Sequence, residues 1–115
     1  MATAQLPLNK FRLLTSVLNS GSNLVYSQSL NVSTIVLSTQ ITNVTSSIQL
    51  VDMYVVKSGS LGRATVLHSG SVPPNESLNP LAGKLVLEQY DSLYIQTAHS
   101  GSLETVLSVL ENANN

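Results

Sequence analysis

The stretch VSTIVLSTQITNVT, Val32 to Thr45, decides the fold class. Ile35, Leu37, Thr39 and Ile41 fall on one face of an extended chain, and Val36, Ser38, Gln40 and Thr42 on the other. Val32, Ile35, Val36 and Ile41 are β-branched aliphatics, and Thr34 and Thr39 add two more branched positions. Branching at Cβ restricts χ1 in a helix but suits a pleated surface, so the spacing predicts a strand. Asn43 to Ser47 then supplies a turn. IQLVDMYVVK, Ile48 to Lys57, follows with Val51, Met53 and Val55 opposite Leu50, Asp52, Tyr54 and Val56. Its near-continuous apolarity predicts a central strand, bulged near Leu50 and Val51.

The same reading extends outward in both directions. Residues 1–9 read as an extended arm, because Pro7 disfavours a helix there. KFRLLTSVLN, Lys10 to Asn19, fits a strand with one slip in alternation, or a short helix; the strand is preferred. Asn23 to Ser29 is a short strand centred on Val25 and Tyr26. Beyond the central strand, Arg63 to His68, Lys84 to Glu88, Ser92 to Thr97 and Leu103 to Leu110 each read as strands. Val72-Pro73-Pro74-Asn75 cannot lie inside a sheet, since consecutive prolines donate no ladder hydrogen bonds. The Ser-Gly-Ser tripeptides at 20–22, 58–60, 69–71 and 100–102 read as turn chemistry reused, because their spacing is irregular. The expected fold is therefore all-β: a single-domain antiparallel β-sandwich of seven or eight short strands, Greek-key or jelly-roll-like. The sandwich is placed at 10–111, with a polar tail at 112–115.

Composition narrows the function class. The chain has 115 residues, 43% hydrophobic and only 10% charged, with net charge −1. An ordinary soluble domain has about 25% charged residues. Ser, Thr and Asn supply the missing polarity here. A hydroxyl or amide costs roughly 1–3 kcal/mol to desolvate, less than an unpaired charge, so such a surface is more readily covered by another protein. Near-zero net charge also favours association. Five Lys and Arg against six Asp and Glu give no basic patch, so nucleic acid is not an expected partner. No run of 18 apolar residues exists to span a membrane as a helix, and Met1 to Asn9 lacks the features of a secretory signal. Synthesis in the cytoplasm is the expectation. Absence of cysteine removes disulfides, thiolate catalysis and Cys-type zinc sites.

His68 and His99, with Asp52 or Asp91, could in principle serve a Ser–His–carboxylate site, but no nucleophile-elbow pattern accompanies them. Two His and scattered carboxylates make no zinc site, and no EF-hand spacing or phosphate-binding glycine pattern occurs. Glu88 and Asp91 stand three residues apart, as a polar turn would place them, although a glycosidase pair also uses two carboxylates. Asn31, Asn43 and Asn75 match the glycosylation sequon, as chance produces in a chain this rich in Asn, Ser and Thr. Tyr90 and Tyr94 could share a face and form a sugar platform. No catalytic, cofactor-binding or metal-binding residue is assigned, no cofactor is expected, and a small-molecule ligand is not expected.

Val72-Pro73-Pro74-Asn75-Glu76-Ser77-Leu78, Lys84-Leu85-Val86-Leu87-Glu88, Tyr90-Asp91-Ser92-Leu93-Tyr94-Ile95 and Val106-Leu107-Ser108-Val109-Leu110-Glu111 together carry a resemblance. The run resembles small β-rich virion structural proteins of tailed bacteriophages, of the head decoration (cement) or tail and neck accessory type. It covers the last third of the chain well and the rest loosely, through Lys10 to Leu14 and the strand around Ile35 to Ile41. Those proteins usually carry Gly before the turn aspartate, where this chain has Tyr90, which argues against a positive φ at that position. The resemblance implies a non-enzymatic virion component, assembled in a bacterial cytoplasm. Its implied partner is the major capsid protein or another virion protein, with homo-oligomers expected and a trimer among the options. A tail, neck or fibre-junction component is the alternative, and a carbohydrate- or host-receptor-binding module the alternative of another class.

Overall fold

The computed structural model describes residues 8–27, 32–57, 62–88 and 90–113. Nine strands are found among them: β1 Leu8–Val17, β2 Gly21–Ser27, β3 Val32–Asn43, β4 Gln49–Val56, β5 Ala64–Val72, β6 Ser77–Leu78, β7 Leu85–Leu87, β8 Ser92–Thr97 and β9 Leu103–Ala113. One sheet runs β1-β9-β3-β6, with β7 also on the free side of β3; the other runs β2-β8-β4-β5. All pairings are antiparallel, and they are nested. β1 pairs β9, β2 pairs β8, β3 pairs β7, and β4 pairs β5. The chain is thus one long hairpin, rolled so that its layers alternate between two sheets. That is a jelly roll, in agreement with the all-β sandwich expected from the sequence.

The core lies between the sheets. Val51, Met53 and Val55 of β4 and Leu93 and Ile95 of β8 meet Val36 and Ile41 of β3 and Leu103, Leu107 and Val109 of β9. Strict alternation along β8, from Leu93 through Ile95 to Thr97, puts every second side chain inside. Leu18 and Val72, at strand ends, close the core at the pole where the chain turns between layers.

At that pole Asn43 is fully buried and fully employed. Its Nδ2 donates to the carbonyls of Ser47 (2.6 Å) and Val72 (2.9 Å), and its Oδ1 accepts from the Thr45 amide (2.9 Å) and hydroxyl (2.7 Å). The turn expected at Asn43 to Ser47 is built around this one side chain. Gly21 and Gly101, each from a Ser-Gly-Ser tripeptide, have φ of 96° and 75°, which explains why turns there use glycine. The copy at 58–60 lies outside the described residues.

Four local expectations need correction. Ser69-Gly70-Ser71 is not a turn: β5 runs through it to Val72. The strand absorbs it with bulges, because β5 carries an extra residue against β4 between Val51 and Met53 and again between Met53 and Tyr54. Second, the bulge expected in the central strand near Leu50 and Val51 is not in that strand: the extra residues belong to its partner β5, facing β4 just after Val51. Third, the face assignment in β3 holds only in part. Leu37 is a bulge residue against β9, so Thr34 and Val36 before it and Thr39, Ile41 and Asn43 after it all point inward. Ile35 therefore faces out. Fourth, Tyr90 does adopt positive φ, 67°, despite its side chain. The turn is held from outside: Asp91 donates its amide to the Glu88 carbonyl (3.0 Å) and accepts the Glu88 amide at Oδ2 (2.9 Å). β1 takes in Leu8 and Asn9 of the expected arm, and β9 takes in Asn112 and Ala113 of the expected tail; residues 1–7 and 114–115 lie outside the described residues.

Candidate interaction surface

Opposed residues in an antiparallel pair share a face, so the registers build the solvent side of the first sheet directly. Phe11 lies opposite Leu110, Leu110 opposite Ile35, and Ile35 opposite Val86. Four large apolar side chains thus form one row across β1, β9, β3 and β7, facing away from the core. Phe11 is 74% exposed, Leu13 65% and Val86 62%. Val17 and Val106 extend the apolar area along β1 and β9. A shallow depression of about 390 Å³, lined by Phe11, Arg12, Leu13, Leu37, Ser108 and Val109, opens within it. Between these residues lie the uncharged Thr15, Ser38, Gln40 and Ser108, and the one charge on the paired strands of this face is Glu104, opposite Val17 at its end. Scattered exposed apolar residues are ordinary; a contiguous row flanked by hydroxyls is a docking feature.

The solvent side of the second sheet differs. Tyr54 and Tyr94, opposed across β4 and β8, stack with centroids 5.2 Å apart and planes 8° from parallel. The Arg63 guanidinium covers Tyr54, 4.3 Å from its centroid, and the Tyr54 hydroxyl donates to Ser22 Oγ (2.9 Å). Aromatic surface here is spent on internal contacts. Tyr90 sits in the 88–91 turn, so Tyr94 takes its stacking partner from Tyr54 and the anticipated Tyr90–Tyr94 platform is not what the structure assembles.

The other candidate residues take structural posts. Asp52 Oδ1 meets His68 Nδ1 at 3.1 Å and accepts the Ser69 amide at 2.6 Å, which anchors the β5 bulge where Ser69 has φ of 51°. His99 Nδ1 lies 3.1 Å from Gln49 Oε1, so the two histidines are not brought to one site with a shared carboxylate. Glu88 and Asp91 do converge, on Lys57: Nζ donates to Glu88 Oε1 (2.7 Å) and Asp91 Oδ2 (2.9 Å). These hydrogen bonds, that to Glu88 first, raise the Lys57 pKa above its usual value. Asp91 is buried beneath the cation and braces the turn. Asn43 is a core residue, Asn75 sits exposed in a turn at φ 58°, and Asn31 lies outside the described residues. Among the described residues no group of three metal-ligating side chains forms, and no helix is long and apolar enough to cross a membrane.

Sequence reasoning missed the apolar row because it placed Ile35 and Ile41 on one face. The available signal was that Ile35, Val36 and Leu37 are consecutive, so both faces must be apolar at that level.

No family model and no curated protein sequence matches the chain. Among solved structures, one from work on Bacillus endospore appendages, described as a family of disulfide-linked pili, is similar over 100% of this chain and 96% of its own, with a TM-score of 0.61 at 10% identity. A structure of infectious bursal disease virus, Gx strain, is similar over 91% of this chain with a TM-score of 0.52 at 12% identity. The chain spans about a third of that viral protein, 32%. At these identities the likeness establishes a shared fold.

Proposed function

We propose that this chain is a non-enzymatic structural subunit that works by covering and joining other protein surfaces, and specifically a head decoration protein of a tailed phage. The observation that carries the reading is the outward row Phe11–Leu110–Ile35–Val86 on a sheet face whose one charged strand residue, Glu104, stands at the opposite end beside Val17. Fully burying an apolar side chain of this size contributes about 1.5–3 kcal/mol, and the flanking hydroxyls add little desolvation cost. Such a face gains most when many copies sit on a repeated lattice, as the major capsid protein provides. The fold's likeness to subunits of pili and of a virus particle supports assembly as the mode of action.

A tail, neck or fibre-junction role is the second reading, favoured by the full-length match to a pilus structure. Disulfide linkage, as named for those pili, is not open to a chain without cysteine. Copy number separates the two. Heads lacking the protein, incubated with purified chain, are expected to take it up in many copies and to gain heat resistance. Val86→Lys, at an exposed site, is expected to abolish uptake while leaving the fold intact. Chain that stays in the supernatant would overturn the reading, and a few copies retained on detached tails would replace it with the second.

A further inference from the structure

Each sheet of a sandwich ends in edge strands whose outer amides and carbonyls can template pairing with another chain, and proteins blunt such edges with short strands, bulges or proline. Three of the four edges here are blunted. β2 is interrupted at Val25, where its register against β8 shifts. β5 is bulged twice and carries Ser69 at positive φ. The far edge of the first sheet consists of β6, two residues long, and β7, three residues long, with Pro80 between them. β1 is the exception. It runs ten residues, Leu8 to Val17, paired to β9 without any register shift, and contains no proline or glycine.

We propose that β1 is a self-association edge: two copies pair their β1 strands antiparallel, about a two-fold axis passing between their Leu13 residues, and so fuse two sheets into one. The register follows from faces and charges. A two-fold axis perpendicular to the sheet keeps both outer faces on one side, so odd-numbered residues oppose odd-numbered ones. An axis at Phe11 would set Lys10 against Arg12 of the second copy, and an axis at Arg12 would set the two guanidiniums against each other. Like charges directly opposed are unfavourable. An axis at Leu14 shortens the overlap to Phe11–Val17. With Leu13 on the axis the overlap runs from Asn9 to Val17, Lys10 faces Ser16, and Arg12 faces Leu14. Arg12 is already neutralised within its own subunit by Glu111, at 3.1 Å. On the outer face the two Leu13 side chains meet, with each Phe11 diagonal to the other copy's Leu13. The two apolar rows become one continuous field. This occupant is a second copy rather than a capsid protein, so the inference goes beyond the docking reading and stands or falls separately.

Absence of cysteine makes the test direct. Sedimentation of the purified chain is expected to give twice the chain mass, and Leu13→Lys, at a solvent-facing position, to halve it with an unchanged far-UV spectrum. Leu13→Cys is expected to form a disulfide-linked dimer under mild oxidation, because opposed antiparallel residues have Cα atoms about 4.5–5.5 Å apart, within disulfide range. Thr15→Cys, which faces Phe11 of the second copy, is expected not to. A monomeric parent, a Leu13→Lys variant that stays dimeric, or Thr15→Cys cross-linking as fully as Leu13→Cys would each overturn the proposal. A monomer that still loads onto heads would sink this inference and leave the docking reading intact.

Discussion

Tyr26 of β2 donates its hydroxyl hydrogen to the carboxylate of Glu111 on β9, and so ties one sheet to the other through the interior. The same hydroxyl lies 2.8 Å from Thr34 Oγ1, and Arg12 donates to the same Glu111 oxygen from the other side. Three strands of the first sheet and one of the second therefore share a single polar knot.

That knot sets an alkaline limit. Burial first, and the bond to Glu111 second, push the Tyr26 phenol from 10.0 up to about 12. Above the ordinary value the unfolded chain loses this proton while the folded chain keeps it. Stability from this group is thus complete below pH 10 and is lost as pH rises through about 12, by about 2–3 kcal/mol in all. Denaturant titrations across that window should show the slope in the parent and a flatter profile in Tyr26→Phe. An identical slope in both would assign the loss elsewhere.

Thr39 offers the opposite case. Its side chain is fully buried opposite Leu107, and Oγ1 has no hydrogen-bond partner among the described residues. Thr39→Val keeps the shape and removes the unsatisfied hydroxyl, so it should stabilise the fold by about 1 kcal/mol. Thermal unfolding of the two proteins measures this directly, and a lowered midpoint would contradict it.

Two glycines separate backbone strain from crowding. A Cβ at Gly101 or at Gly83 would meet nothing within 4 Å, but only Gly101 has positive φ. Gly101→Ala should cost about 1–2 kcal/mol, whereas Gly83→Ala should be neutral or gain up to about 1 kcal/mol. Equal effects at both sites would show that φ is not the cause.

Tyr90 holds a conformation that its side chain disfavours. Tyr90→Gly should therefore be neutral or stabilising by about 1 kcal/mol, and Tyr90→Val, branched at Cβ, destabilising by about 1–2 kcal/mol. Urea midpoints of the two variants would rank them, and the reverse order would mean that Tyr90 makes contacts outweighing its strain.

The layered all-β body was legible because it rests on short-range patterns: alternation in Ser92 to Thr97, branched residues in Val32 to Ile41, and glycine or proline at the turns. The interaction face was not. Its four residues lie on four strands, and only pairing registers bring Phe11, Leu110, Ile35 and Val86 into line. Bulges also leave no local mark. Ser69-Gly70-Ser71 has the composition of a turn, and its continuation as strand depends on Asp52 reaching across from β4. Tyr90 shows the same gap, since Asp91 and Lys57 hold the turn in a shape that the local sequence argues against.

Leu37 works as a phase shifter. By adding one position midway along β3, it lets even-numbered residues upstream and odd-numbered residues downstream address the same interior. Excising it would leave both halves in phase: Val36 would stay opposite Val109 and Ser38 opposite Ser108, and an unbroken alternation would point Thr34, Val36, Thr39 and Ile41 inward. A residue lost upstream or downstream of the bulge would instead turn the neighbouring stretch inside out. A chain descended from the same ancestor could therefore shed this one position without rewriting the pattern on either side of it.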